Sequence, residues 1–234
     1  MSAPTKALSK ANLSMPLADL LDLVTAVAPA VSNDFITPVI TGALFTLDKG
    51  RITLMGTDRY RVHRVRGDYK GSPSGTFIVP QAALKWLTKN AAFFGRRRIS
   101  DLLQPWARID FRFEPISAGL TGTMIHCPRG TVTITISEPV ATDAASITYT
   151  LPLIKGGFPP LHELFDKAES LEPVAAAGAI RMDLLADTKR IARDKWEAGK
   201  FKVVQPNTSG KPGQFLVQYE RGEALLQMHD GSRP

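Results

Sequence analysis

The chain has 234 residues, enough for one large domain or two small ones. Hydrophobic residues make up 44% of the sequence and charged residues 22%, a balance that excludes a disordered chain. Lysine and arginine outnumber aspartate and glutamate by 29 to 22, so the formal net charge is +7 and a polyanionic partner such as nucleic acid is favoured.

The cysteine content and the distribution of apolar residues exclude further classes. Cys127 is the only cysteine, so neither an intrachain disulfide nor a zinc site built from several thiolates can form. No stretch approaches the ~20 apolar residues of a membrane span, and the N-terminal residues lack the apolar core of a secretory signal. The sequence therefore predicts a soluble, cytoplasmic protein without a membrane partner.

Helical and alternating patterns follow one another three times along the chain. The first helix is predicted over residues 16–28, followed by two alternating strands that meet at a tight turn at residues 49–50. A strand, a helix over 81–94 and four strands repeat this order, and a third helix over 183–198 precedes three more strands. We expect an α+β fold of repeated strand–helix–three-strand units, with the helices on one face of antiparallel sheets.

Two segments interrupt this order. Residues 95–106 look inserted between the second helix and the next strand, and residues 166–179 have the proline, glycine and small residues of a linker. We place a domain boundary near residue 168. This predicts a domain of two units over residues 1–168 and a C-terminal half-domain over residues 169–234.

Four short motifs occur in order along the chain. Residues 40–45 read Ile-Thr-Gly-Ala-Leu-Phe, residues 54–62 read Leu-Met-Gly-Thr-Asp-Arg-Tyr-Arg-Val, residues 77–80 read Phe-Ile-Val-Pro, and residues 153–159 read Leu-Ile-Lys-Gly-Gly-Phe-Pro. Together they resemble the bacterial DNA polymerase sliding clamp (β clamp) family, whose pattern includes Ala-Thr-Asp-Gly-His-Arg-Leu, Ile-Val-Pro and Leu-Ile-Asp-Gly-x-Phe-Pro. The resemblance covers roughly residues 17–230.

The chain also departs from the family pattern. Arg59 and Tyr60 replace a Gly-His pair, and the C-terminal residues differ from the family's short apolar and basic end. The chain carries three half-domain units, whereas the bacterial clamp has six. If a ring needs twelve units, three per chain imply four subunits, or two subunits in a smaller ring.

The resemblance implies a DNA-clamp fold and a sliding clamp: a processivity factor for DNA polymerase that encircles duplex DNA as a homo-oligomer on the nucleoid. Helices with long cationic side chains should then face the phosphates. The first helix carries Asp19 and Asp22 and is excluded from this surface. The alternative is that the cations are ordinary solvated surface. The expected DNA-binding residues are Lys85, Lys89, Arg96, Arg97, Arg98, Lys189, Arg190, Arg193 and Lys195.

The resemblance also implies a hydrophobic cleft that binds short linear peptides from polymerases and other replication or repair proteins. In the family the Thr-Asp-Gly-His-Arg-Leu turn, the segment after Phe-Pro and the C-terminal strand form it. The alternative is that Val62, Leu226 and Met228 fill the cores of their sheets. The corresponding residues here are Thr57, Tyr60, Arg61, Val62, Leu164, Leu226 and Met228.

The sequence offers little for catalysis. Its four histidines lie in separate segments without metal-ligand spacing, and its glycine-rich stretches do not match phosphate-binding loops. Asp58 follows a strand in a Thr-Asp turn, where a carboxylate usually accepts backbone hydrogen bonds. We expect no catalytic residue, metal or cofactor, and a metal-dependent nuclease is disfavoured. The alternative to the clamp is a clamp-derived DNA-binding adaptor that does not encircle DNA and that recruits or sequesters replication proteins.

Overall fold

The computed structural model describes residues 8–72, 74–94, 104–115, 123–138, 145–173, 180–194, 196–205 and 213–228. Three units follow one another along the chain, and we call them units one, two and three; in the first two a strand precedes the helix, and the described part of the third consists of a helix and three strands. The elements of unit one are β1 (Ser9–Pro16), α1 (Leu17–Val27), β2 (Gly42–Asp48), β3 (Arg51–Thr57) and β4 (Arg61–Asp68).

Unit two repeats this order, with one additional short strand, β7. Its elements are β5 (Gly75–Pro80), α2 (Gln81–Asn90), β6 (Trp106–Phe113), β7 (Ile125–Cys127), β8 (Gly130–Ser137) and β9 (Ser146–Pro152). The short strand β10 (Gly156–Phe158) pairs with β7, and α3 (Leu161–Ser170) follows it. Unit three contains α4 (Met182–Thr188), β11 (Lys200–Gln205), β12 (Gln214–Tyr219) and β13 (Gly222–Gln227).

Units one and two exchange their first strands. Strand β1 of unit one joins the sheet of unit two, in the order β1-β6-β8-β9, and β5 of unit two joins the sheet of unit one. In both cases the proline that precedes the helix lies opposite the first residue of the partner strand: Pro16 pairs with Trp106, and Pro80 pairs with Gly42. Strand β13 then pairs with β4, so the second sheet has seven strands in the order β11-β12-β13-β4-β3-β2-β5.

The main core lies between the two sheets and contains the apolar sides of α1, α2 and α4. Strand β1 also contributes to this core: its alternate residues Ala11, Leu13 and Met15 are buried in it, whereas their neighbours are not. Helix α3 packs on the opposite face of the seven-stranded sheet, where Phe165 is fully buried in a second core. Within the described part of the chain, no helix is long and apolar enough to cross a membrane.

The expected α+β architecture of repeated units is confirmed, and α1, α2 and α4 share one face of the sheets as predicted. Three elements were not predicted: β1, α3 and the short strand β10. The division at residue 168 stays a prediction, and the segment proposed as an insertion lies largely outside the described residues, which omit 95–103.

The third helix is shorter than predicted. It was expected over residues 183–198, but α4 ends at Thr188 and turns follow it. Arg221 donates hydrogen bonds to the carbonyl oxygens of Arg190, Ile191 and Ala192, so these carbonyls have partners outside a helix. The carboxylate of Asp194 accepts hydrogen bonds from the backbone N–H groups of residues 196 and 197, an arrangement that competes with helix formation.

Candidate functional site

The turn between β3 and β4 is held by its own side chains. The carboxylate of Asp58 accepts hydrogen bonds from the backbone N–H groups of Tyr60 (3.1 Å) and Arg61 (3.0 Å), the structural role that the sequence predicted. Thr57 Oγ1 donates to the Arg61 carbonyl oxygen at 2.9 Å. Arg59 adopts a left-handed conformation with φ of 78°. The turn therefore fixes Tyr60, whose side chain is half exposed, at the surface.

Arg61 connects this turn to unit three. Its guanidinium lies 3.0 Å from the carboxylate of Asp58 and 2.7 Å from that of Asp187 in α4. The Arg61 side chain is only 12% exposed, so both ion pairs are partly shielded from water. We infer that Arg61 is a fixed hydrogen-bonding group at the edge of the turn.

A cavity of about 240 Å³ lies between this turn, α3 and β13. Five of the seven residues that the sequence proposed for a peptide cleft border it: Tyr60, Arg61, Val62, Leu164 and Leu226. The Leu226 side chain, however, is fully buried in the main core, as the alternative interpretation expected. The volume is somewhat below the ~300–1,000 Å³ of typical small-molecule pockets, which suits one or two apolar side chains.

The other two proposed cleft residues do not line the cavity. Thr57 is buried within the turn, and Met228 is buried with its backbone N–H donating to the Gly213 carbonyl oxygen at 2.8 Å. The sequence interpretation missed Leu225, which lines the cavity and pairs with Val62 across β13 and β4. Strand alternation was the available signal, because directly opposed residues of an antiparallel pair share one face of the sheet.

A buried ionic network holds α3 beside the cavity. The Arg64 side chain, 6% exposed, is paired with Glu169 of α3 at 2.8 Å and with Glu223 of β13. Its guanidinium also lies 4.3 Å from the centre of the Phe165 ring. These contacts connect β4, β13 and α3, and they fix the helix that carries Leu164.

The predicted cations on α2 are exposed on the helix-bearing side of the sheets. Lys85 donates a hydrogen bond to the Gln81 side chain at 2.7 Å, one helical turn earlier. Lys89 has no ion-pair or hydrogen-bond partner among the residues that the structure describes, so its ammonium group is available to a bound anion. Arg96, Arg97 and Arg98 lie outside the described residues.

The predicted cations of unit three follow α4 and do not form a helical stripe, because the helix ends before them. The ammonium group of the exposed Lys189 has no partner within the described ranges, whereas Arg190 lies 3.6 Å from Asp187. Arg193 lies 3.7 Å from Glu220. Lys195 is outside the described residues.

Acidic residues of α1 face this region of unit three. A second cavity, of about 630 Å³, is lined by Asp19 and Asp22 of α1 together with Arg193 and Arg221. Asp22 lies 3.5 Å from Arg221. Charges of both signs therefore meet here.

The buried titratable groups offer no catalytic site. His63 is fully buried, and desolvation lowers its pKa to about 4, so the ring is neutral at pH 7. Burial raises the pKa of the Cys127 thiol to about 12, which makes it a poor nucleophile. No group of three or more histidine, cysteine, aspartate or glutamate residues in the described ranges could hold a metal ion.

Comparisons with known proteins identify the fold. No protein-family model and no curated protein sequence matches the chain. The solved structure of the DNA polymerase III subunit beta from Pseudomonas aeruginosa matches 98% of this chain and 68% of that chain, with a TM-score of 0.55 and 11% identity. The DNA polymerase sliding clamp from Bacillus subtilis matches 94% of this chain and 64% of its own, with a TM-score of 0.52 and 12% identity.

A DnaN sliding clamp from Pseudomonas aeruginosa bound to griselimycin matches 97% of this chain and 66% of its own, with a TM-score of 0.50 and 11% identity. The chain therefore has the sliding-clamp fold. It spans about two thirds of the length of these clamps.

Proposed function

We propose that this protein is a sliding clamp, a processivity factor without catalytic activity that encircles duplex DNA and tethers DNA polymerase to it. It acts in the cytoplasm, on nucleoid DNA, and needs no cofactor. One observation carries the proposal: a chain with the clamp fold has a cavity with both apolar and polar lining residues at the turn where the sequence resemblance implied a peptide cleft.

The chemistry of the cavity suits an extended peptide with one or two apolar side chains. Val62 and Leu225 supply an apolar floor, and the half-exposed Tyr60 and the partly exposed Leu164 stand at the rim. The fixed guanidinium of Arg61 supplies a polar group at the edge of the turn. Buried apolar anchors surrounded by a polar rim are the usual pattern of a small peptide-binding site. We propose polymerases and other replication or repair proteins as the sources of such peptides.

Peptides selected from a random display library against the wild-type protein test this site. Leu164→Asp should weaken their binding about tenfold or more, because it places a charge at the apolar rim. Leu171→Asp is the matched control: Leu171 is similarly exposed, at the end of the same helix, but does not line the cavity. If both substitutions weakened peptide binding equally, or if neither weakened it, the assignment of this cavity as the peptide site would be contradicted.

Encirclement is tested by closing DNA around the protein. The protein is added to a linear plasmid, onto whose free ends a ring can thread, and ligase then joins the ends. A ring should stay on the circles when salt is raised and should leave when a restriction enzyme cuts them again. A protein that only contacts phosphates dissociates from both forms at high salt. That result would overturn encirclement and favour the adaptor.

A further inference from the structure

Helix α3 covers an apolar surface that continues into the candidate cavity. Its side chains Leu161, Phe165 and Ala168 are buried in the second core, which also contains Val62 of β4 and Leu225 of β13. Val62 and Leu225 line the candidate cavity as well. The cavity and the site of α3 therefore share one apolar floor, and the cavity is the part of this floor that α3 leaves open.

Only one side of α3 belongs to the core. Its three buried residues, Leu161, Phe165 and Ala168, recur at helical spacing, and the other seven positions are exposed or partly exposed. No side chain caps the N-terminus of the helix. A helix shorter than about 12 residues is marginal in water by itself, so α3 stays helical only while it is docked. Its release from the sheet is then a local unfolding event.

The polar contacts that hold α3 come from residues of the sheet. Arg64 pairs with Asp166 (3.4 Å) and Glu169 (2.8 Å) of α3, and it also pairs with Glu223 of β13, a contact that does not need the helix. Lys202 of β11 donates hydrogen bonds to two carbonyl oxygens at the C-terminal end of α3, at 3.0 and 2.7 Å. The Asp166 and Glu169 side chains are 68% and 40% exposed, so water can replace these contacts when α3 leaves.

We propose that α3 is a displaceable lid over the peptide site and competes with partner segments for the floor that Val62 and Leu225 form. The segment that displaces it has the chemistry of α3 itself: a large apolar side chain in the place of Phe165, and a carboxylate in the place of Glu169. The guanidinium of Arg64 favours that carboxylate, because its side chain is only 6% exposed and a buried cation needs anionic partners. This proposal rests on the proposed peptide site and adds that α3 regulates it.

A labelled synthetic peptide with the sequence of residues 160–171 tests whether the floor can be exchanged. In the wild-type protein the attached helix competes with this peptide at an effective concentration of about millimolar. Asp166→Asn combined with Glu169→Gln weakens the attached helix only, since the synthetic peptide keeps both carboxylates. Fluorescence anisotropy should therefore show about tenfold tighter binding of the peptide to the double variant than to the wild type. Equal binding to both proteins, or binding to neither, would overturn the proposal.

Two controls make this comparison specific. Glu163→Gln also removes a carboxylate from α3, but Glu163 has no ion pair within the described ranges and does not line the cavity, so this variant should bind the peptide as the wild type does. A synthetic peptide carrying Phe165→Asp should not bind any of the proteins, because the apolar anchor is lost. Binding of this second peptide would show that the first peptide is not held in the groove, and would overturn the proposal.

Hydrogen exchange followed by mass spectrometry gives a readout that needs no peptide. The backbone amides of α3 should exchange about tenfold faster in the double variant than in the wild type or in Glu163→Gln, while those of β12 should be unchanged. Unchanged exchange in α3 would overturn its role as a lid. Failure of the proposed peptide site would appear separately, as selected peptides whose binding Leu164→Asp does not weaken.

Discussion

His63 is a buried histidine whose environment makes folding dependent on pH. Its Nδ1 lies 2.7 Å from the Ala26 carbonyl oxygen, and burial lowers its pKa to about 4. In the unfolded chain the pKa is near 6.5, so the unfolded state binds a proton at a pH where the folded state does not. The stability is fully present above pH ~6.5 and should fall by up to about 3 kcal/mol as the pH drops towards 4. Urea unfolding at several pH values measures this fall.

The contribution of His63 can be separated from that of other titrating groups. His63→Gln should flatten the pH dependence of the unfolding free energy between pH 6.5 and 4, even though it lowers stability overall. His126→Gln is the matched control for the loss of a histidine side chain, because His126 is only partly buried. An unchanged slope in His63→Gln would assign the acid sensitivity to carboxylates.

Lys89 and Lys189 are the predicted DNA-binding residues that lack partners in the described structure, and each should neutralise about one phosphate. Replacing both with glutamine should reduce the slope of log binding constant against log salt by about 1.8, since each phosphate contact contributes ~0.9. Lys155→Gln combined with Lys167→Gln is the control, since Lys167 lies on α3 on the opposite face of the sheet. Fluorescence anisotropy with a short duplex measures the slope. An equal reduction in the control would mean that the binding has no preferred face.

At the scale of elements, the Arg64 network decides how firmly α3 is attached. Arg64→Met leaves the Glu223 carboxylate, 5% exposed, without its closest cation, and should cost about 3 kcal/mol of unfolding free energy. Asp183→Asn breaks the exposed pair with Arg181 and should cost less than about 1 kcal/mol. Urea unfolding compares the two. Similar small losses would show that packing of Phe165 alone holds the helix.

Elements with regular patterns could be predicted from the sequence, and the exceptions have physical reasons. The alternation of apolar residues in β8 and their helical spacing in α1 were sufficient to predict these two elements from the sequence. The alternation of β1 is equally regular, but Asn12 and Ser14 separate its buried residues and Lys10 precedes them, so it resembled a polar segment. Helix α3 follows two prolines, and its second half falls within residues 166–179, which the sequence suggested were a linker, so its apolar spacing was missed. The end of α4 depends on hydrogen bonds from the distant Arg221, which local spacing does not encode.

The segments that line the candidate cavity could be predicted one by one from the sequence, but their arrangement around the cavity could not. The motif resemblance pointed to the turn at Tyr60 and to the last strand, and both line the cavity. The pairing of β13 with β4 determines which residues of β13 face the cavity. This pairing joins residues that are more than 150 positions apart in the sequence. The ion pair of Arg61 with Asp187 likewise joins two units. Contacts of this kind follow from tertiary structure and not from local sequence patterns.

At the scale of the whole molecule, the pairing of β4 with β13 joins the last strands of units one and three. Strand β9 is the last strand of unit two, and within the described ranges its outer edge has no partner strand. By the same pattern, β9 of one copy should pair with β9 of another. Such a contact, between two β9 strands about a two-fold axis, would join two copies.

A ring that encircles DNA needs contacts between copies. A β9 contact about a two-fold axis joins two copies, so we expect a solution mass of at least twice the 25.5-kDa chain mass. Sedimentation equilibrium over a wide concentration range measures this mass, and a monomer at every concentration would contradict both the β9 contact and the encircling ring.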